Sequence, residues 1–125
     1  MRREKAVGQI RARRKPKRLA EKLLAIRFKL EVSQSQLAKL LEFDKGNARI
    51  SEYERGNREP DLLTLLKYSE LARVSINVLA DDTRELTFPE SWKRPKQVTE
   101  LLERQRRGRI QNRIDILRRQ LSRSL

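Results

Sequence analysis

From Leu19 the apolar positions Leu19, Leu23, Ile26 and Leu30 recur at three- and four-residue spacing, which predicts a helix that buries one stripe. Glu31 and Val32 break that rhythm. Ser33-Gln34-Ser35-Gln36 has the form of a capping box, in which the Ser33 hydroxyl satisfies the Gln36 amide. It opens a second helix of about two turns carrying Leu37, Ala38, Leu40 and Leu41. Phe43-Asp44-Lys45-Gly46 is a turn by composition, and a third helix is expected over residues 47–55, closed by Gly56 in the left-handed conformation. Pro60 and Asp61 start a fourth helix, with Asp61 as N-cap ahead of Leu62, Leu65, Leu66 and Leu71. After Arg73-Val74, Ser75 caps a last turn bearing Ile76 and Leu79. No strand-like alternation competes, so the expected fold class is all-α, a compact bundle of five short helices within residues 19–83.

Residues 84–125 form a different kind of segment. Phe88, Pro89, Trp92 and Pro95 predict a stiff stretch that lays an aromatic anchor on the bundle. Lys96 to Arg107 then reads as a basic helix, with Gly108 expected to interrupt it. Beyond the glycine, Ile110, Ile114, Leu117 and Leu121 are spaced 4, 3 and 4 apart, the interval of a coiled-coil seam. That seam is a candidate homodimer contact. Burying four such side chains yields about 6–12 kcal/mol, while ordering the surrounding sixteen or so residues costs at least as much. So short a zipper is marginal alone, and docking on its own bundle, on a protein partner or along DNA competes with dimerisation.

At 125 residues the chain accommodates one ordinary domain. It contains no cysteine and no histidine, which removes disulfides, thiolate nucleophiles, most transition-metal sites and the usual general base near neutral pH. An enzyme is not expected, and no cofactor is implied. The longest apolar stretches, such as 62–66, fall far short of the roughly 20 residues of a membrane span. The N-terminus has arginines but no apolar core of a secretory signal, so the expected location is intracellular, in the cytoplasm.

The net charge of +14 is unevenly distributed. Residues 1–18 hold nine Lys/Arg against one acid (net +8), residues 19–83 ten against eleven (net −1), and residues 84–125 twelve against five (net +7). A nearly neutral centre thus lies between a basic N-terminal arm and a basic C-terminal extension. Such arms find polyanions by counterion release and carry little sequence information.

"IRFKLEVSQSQLAKLL" followed by "ISEYERGNREPDLLTLLKYSELARVSINVLA" resembles the Xre-type helix-turn-helix family of phage repressors and Cro over roughly residues 19–80. The linked features are Arg27 ahead of the second-helix cap, Ser-Gln at that cap followed by Leu-Ala, the Tyr-Glu-Arg-Gly helix end, and a proline-led fourth helix. The resemblance implies double-stranded DNA as partner, with the second and third helices straddling the phosphate backbone and the third entering the major groove. It also implies that Glu54 pairs with Arg27. The chain departs from the pattern in having about two more residues between Leu41 and Ile50, and in placing Glu31 and Arg73 where the family commonly has glycine.

Angular positions on the third helix fit that mode. At about 100° per residue, Ile50, Tyr53 and Glu54 cluster inward, while Ala48, Glu52 and Arg55 lie opposite, flanked by Arg49 and Ser51. The base-reading candidates are therefore Asn47 for an adenine edge, Ala48 for a thymine methyl, Arg49 for guanine, Glu52 for cytosine, and Ser51 beside them. Phosphate contacts are assigned to Gln34, Lys45, Arg55, Asn57 and Arg58. A sequence-specific DNA-binding regulator is the leading expectation. An interaction module, such as an antitoxin or bridging coactivator with nucleic-acid-binding arms, is the alternative, and an RNA-binding protein using the arginine-rich arms ranks third.

Overall fold

A computed structural model of the chain describes residues 16–124. The described residues contain six helices: α1 Leu19–Leu30, α2 Gln34–Leu40, α3 Ala48–Glu54, α4 Leu62–Ala72, α5 Ile76–Ala80 and α6 Lys96–Ser124. Helices α1 to α5 close around one core in which Leu23, Ile26, Leu30, Leu37, Ile50 and Tyr68 are fully buried.

The starts of these helices follow the local chemistry of their caps. The Ser33 hydroxyl accepts the Gln36 N–H at 3.1 Å while the Gln36 side chain accepts the Ser33 N–H at 2.8 Å, completing the capping box. The Asp61 carboxylate accepts the Thr64 N–H at 2.8 Å, and these hydrogen bonds from Thr64 hold the Asp61 carboxyl below its usual range. Ser75 caps α5 through the Asn77 N–H.

The ends share one device. Helices α1 to α4 each finish in a Schellman motif, with paired backbone bonds from Glu31 and Val32, Glu42 and Phe43, Gly56 and Asn57, and Arg73 and Val74. The residue that must turn left-handed is glycine only at Gly56 (φ 75°), whereas Glu31, Glu42 and Arg73 sit at 59°, 61° and 57°. Glu31 and Arg73 therefore do not impose different helix endings. The hydrogen bonds of the motif and the burial of Val32 outweigh the left-handed penalty of about 1–2 kcal/mol per side-chain-bearing residue. The longer connection after Leu41 is absorbed the same way, through Glu42 and then a turn with Gly46 at φ 78°.

The rotation of α4 is set by packing, and the course of the C-terminal helix corrects the expected break at Gly108. Helix α4 turns Thr64, Tyr68, Leu71 and Ala72 into the core and leaves Leu62, Leu63 and Leu66 exposed. Tyr68 decides that rotation, since its ring packs edge-on against Tyr53 at 6.5 Å and carries more apolar surface inward than a leucine. Gly108 does not interrupt the C-terminal helix, which runs unbroken from Lys96 to Ser124. One glycine costs a helix interior only about 1 kcal/mol, and its flanks are strong helix formers.

The segment after α5 is sewn to the bundle. Trp92 Nε1 donates to the Ala72 carbonyl at 2.6 Å, its ring meets Phe88 edge-on at 5.4 Å, and Lys29 Nζ lies 5.3 Å from both ring centres. Val98, fully buried, and Leu102 then seat the first turns of α6, and Gln36 Nε2 donates to Gln105 Oε1 at 2.8 Å. At the opposite end of α1, Arg18 makes a two-pronged bond to Glu85 at 2.8 and 2.9 Å, and the Lys17 and Arg18 N–H groups donate to the Asp82 carboxylate. Those contacts lower the Asp82 and Glu85 carboxyls and raise the Arg18 guanidinium. Residues 1–15 of the basic N-terminal arm lie outside the described residues.

Candidate nucleic-acid interface

Helix α3 is only seven residues long, too short to be rigid on its own account. It is pinned by Ile50 and Tyr53 in the core and by a polar cluster beneath Glu54. Arg27 Nε donates to Glu54 Oε2 at 2.6 Å and Arg27 Nη2 to Oε1 at 3.0 Å, with the Glu54 side chain 5% exposed. Gln34 Nε2 adds a third bond to Glu54 Oε1 at 2.9 Å, and Arg27 Nη1 reaches the Val32 carbonyl at 3.2 Å. One carboxylate thereby ties α1, the start of α2 and the end of α3 together. Buried charges of this kind are tolerated because both carboxylate oxygens have charged or amide donors. The neighbouring Tyr68 hydroxyl is raised above its ordinary value, first by burial and then by the Glu54 charge.

The opposite face of α3 is open. Asn47, Ala48, Arg49 and Arg55 are exposed, and Ser51 and Glu52 are half-buried. Arg49 rests its guanidinium 5.4 Å from the Phe43 ring centre, and Glu52 Oε2 takes a bond from Arg58 Nη1 at 3.4 Å. Together with Lys45 and Gly46 these side chains line a cleft of about 410 Å³. Lys45, Asn57 and Arg58 are exposed on the turns flanking α3, at its two ends. A short helix therefore offers amide, guanidinium, carboxylate, hydroxyl and methyl groups on one side, flanked by cations. This is the mixture that distinguishes base edges in a major groove.

Residues 23–79 match the model of the helix-turn-helix family. The match is to the Cro/C1-type helix-turn-helix family and covers 57 of the 125 residues. Such domains bind DNA, and the match supports a DNA-binding regulatory role in general. No curated protein and no solved structure matches the chain. None of the helices among the described residues is long and apolar enough to cross a membrane.

In the helix-turn-helix domain the sequence-derived candidates fall into two groups. Asn47, Ala48, Arg49, Ser51 and Glu52 share one surface, with Lys45 and Arg58 at its margins. Gln34, expected at phosphate, donates from its amide nitrogen to Glu54 Oε1 and so also braces the scaffold. Arg55 Nε bonds its own helix at the Ser51 carbonyl at 3.3 Å. Ile110, Ile114, Leu117 and Leu121 are brought near none of these and stay exposed on α6.

The sequence assigns no role to Phe43 at the site or to Lys22 in the scaffold, and only part of the role of Arg58. Phe43, read as part of a turn, is the platform beneath Arg49, and its signal is an aromatic side chain within the turn that follows α2. Lys22 lies 2% exposed, with Nζ donating to the Val78 and Asp81 carbonyls at 2.7 and 2.9 Å, so it caps α5 from α1. Arg58 was assigned to phosphate alone, yet its partner in the free protein is Glu52.

Proposed function

We propose that this chain is a sequence-specific DNA-binding transcriptional regulator that inserts α3 into the major groove. The observation that carries the reading is the exposed surface of Asn47, Ala48, Arg49 and Glu52 on a helix anchored from behind by the buried Arg27–Glu54–Gln34 cluster. Asn47 bonds an adenine edge, Arg49 slides from Phe43 onto guanine, and Glu52 accepts from cytosine. Lys45, Arg55, Asn57 and Arg58 hold phosphates and fix the register. Glu52 and Arg58 first release each other, so contact with the correct base pair and contact with the backbone are made in the same step. Two copies on half-sites about 34 Å apart read a symmetric operator, and the basic arms add affinity without adding sequence preference.

Selection of bound duplexes from a random pool tests this. The wild-type chain should yield a defined consensus. Asn47→Ala, Arg49→Ala and Glu52→Ala should each change it at separate positions, with a loss of about 1–3 kcal/mol at the affected base pair. A pool that emerges without preference, or with a consensus unchanged by all three substitutions, overturns the reading.

A further inference from the structure

The outer half of α6 carries an apolar stripe that neither the bundle nor DNA accounts for. Ile110, Ile114, Leu117 and Leu121 are 51%, 37%, 51% and 65% exposed. At about 100° per residue these four fall within roughly 60° of arc, whereas Val98, Leu102 and Gln105, which meet the bundle, lie about 90–150° round the helix. The stripe therefore points away from its own domain. A phosphate backbone has no use for isoleucine and leucine at this spacing.

An uncovered helix of this length is also poorly stable in water. Most helical stability in proteins comes from packing an amphipathic face rather than from propensity, and like charges three or four apart weaken a helix further. Here Arg106, Arg109 and Arg113 repel one another at those intervals, yet the helix continues to Ser124. Something that covers the stripe and neutralises its margins supplies what the chain lacks.

We propose that this stripe docks an acidic amphipathic helix of another protein in coiled-coil fashion. The margins select the occupant: Arg106 and Arg113 lie along one edge of the stripe, Arg107 and Arg118 along the other. A second copy of the chain is disfavoured by that arrangement, because an in-register parallel pair sets Arg113 against Arg118 across the seam. Asp115 is the one acid from residue 104 onward. It lies about 130° from the stripe, where it accepts from Gln111 Nε2 at 3.0 Å. A partner helix with apolar a and d positions rimmed by glutamate or aspartate satisfies the four arginines and excludes self-pairing. The inference does not rest on how the bundle reads DNA.

The test uses the full chain and a labelled synthetic peptide of about three heptads, with leucine and isoleucine at a and d and glutamate on both margins. Two controls carry lysine margins or the same residues in scrambled order. At physiological salt the acidic amphipathic peptide should bind at least about tenfold tighter than either control. I114S/L117S should weaken it about tenfold while DNA affinity stays within about twofold, and R113E/R118E should reverse the preference towards the lysine peptide. Circular dichroism of both variants checks that the bundle stays folded. Equal binding of the scrambled peptide reduces the effect to bulk charge and overturns the proposal. So does a homodimer in sedimentation that I114S/L117S dissolves, or a tenfold loss of DNA affinity in that variant.

Discussion

Two glutamates two residues apart on α3 illustrate how burial sets the worth of a charge. Glu54 is enclosed and receives three hydrogen bonds from Arg27 and Gln34, while Glu52 meets Arg58 at 3.4 Å with both side chains more than a third exposed. Removing Glu54 strands the Arg27 guanidinium away from water, so Glu54→Ala should cost about 3–5 kcal/mol of stability. Removing Glu52 breaks a solvent-screened pair, and Glu52→Ala should cost under about 1 kcal/mol. Urea midpoints of the two variants measure the contrast. Similar losses in both would show that the cluster does not hold α3. In the opposite direction, Glu52→Ala leaves Arg58 unpaired for phosphate and should raise non-specific DNA affinity even as it blurs the consensus.

At the scale of the helices, the ends were harder to foresee than the beginnings. Caps are written in single side chains, so Ser33, Asp61 and Ser75 announce α2, α4 and α5 directly. Left-handed ends are announced only where glycine stands, and three of the four here fall on Glu31, Glu42 and Arg73, whose stabilising partners are backbone groups with no sequence signature. The outward side of α3 was legible from helical angles, because Ile50 and Tyr53 fix its rotation. Phe43 under Arg49 and the Gln34 bond to Glu54 were not, since both join separate elements. Arg73 is the clean position for a test. It turns left-handed at φ 57° and its side chain makes no hydrogen bond or ion pair among the described residues, so Arg73→Gly should relieve strain and gain roughly 0.5–1 kcal/mol after the glycine's own entropy is counted. Gly56→Ala, at φ 75°, should lose a comparable amount. Thermal melts that move the two variants in the same direction would refute this account of the helix ends.

For the whole molecule, the arrangement of charge divides affinity from specificity in the function proposed above. Residues 1–15 and residues 106–124 each carry seven Lys/Arg and one acid, while the central bundle is close to neutral. The proposed reading surface itself mixes both signs, with Glu52 among Lys45, Arg49 and Arg58. Under that proposal a near-neutral bundle discriminates between sequences but attracts DNA weakly from a distance, and the flanking cations correct the deficit by displacing counterions. The two contributions separate in a salt titration, because log K falls against log salt by about 0.9 for each phosphate neutralised. Arg11, Arg13 and Arg14 lie in the N-terminal arm, and replacing all three with glutamine should flatten that slope by up to roughly 2.7 while leaving the selected consensus intact. Arg49→Ala should do the reverse, shifting the consensus with a slope change of at most about 1. If neutralising the arm changes the consensus, or leaves the slope untouched, the arms are not generic anchors and the division of labour fails at the level of the whole chain.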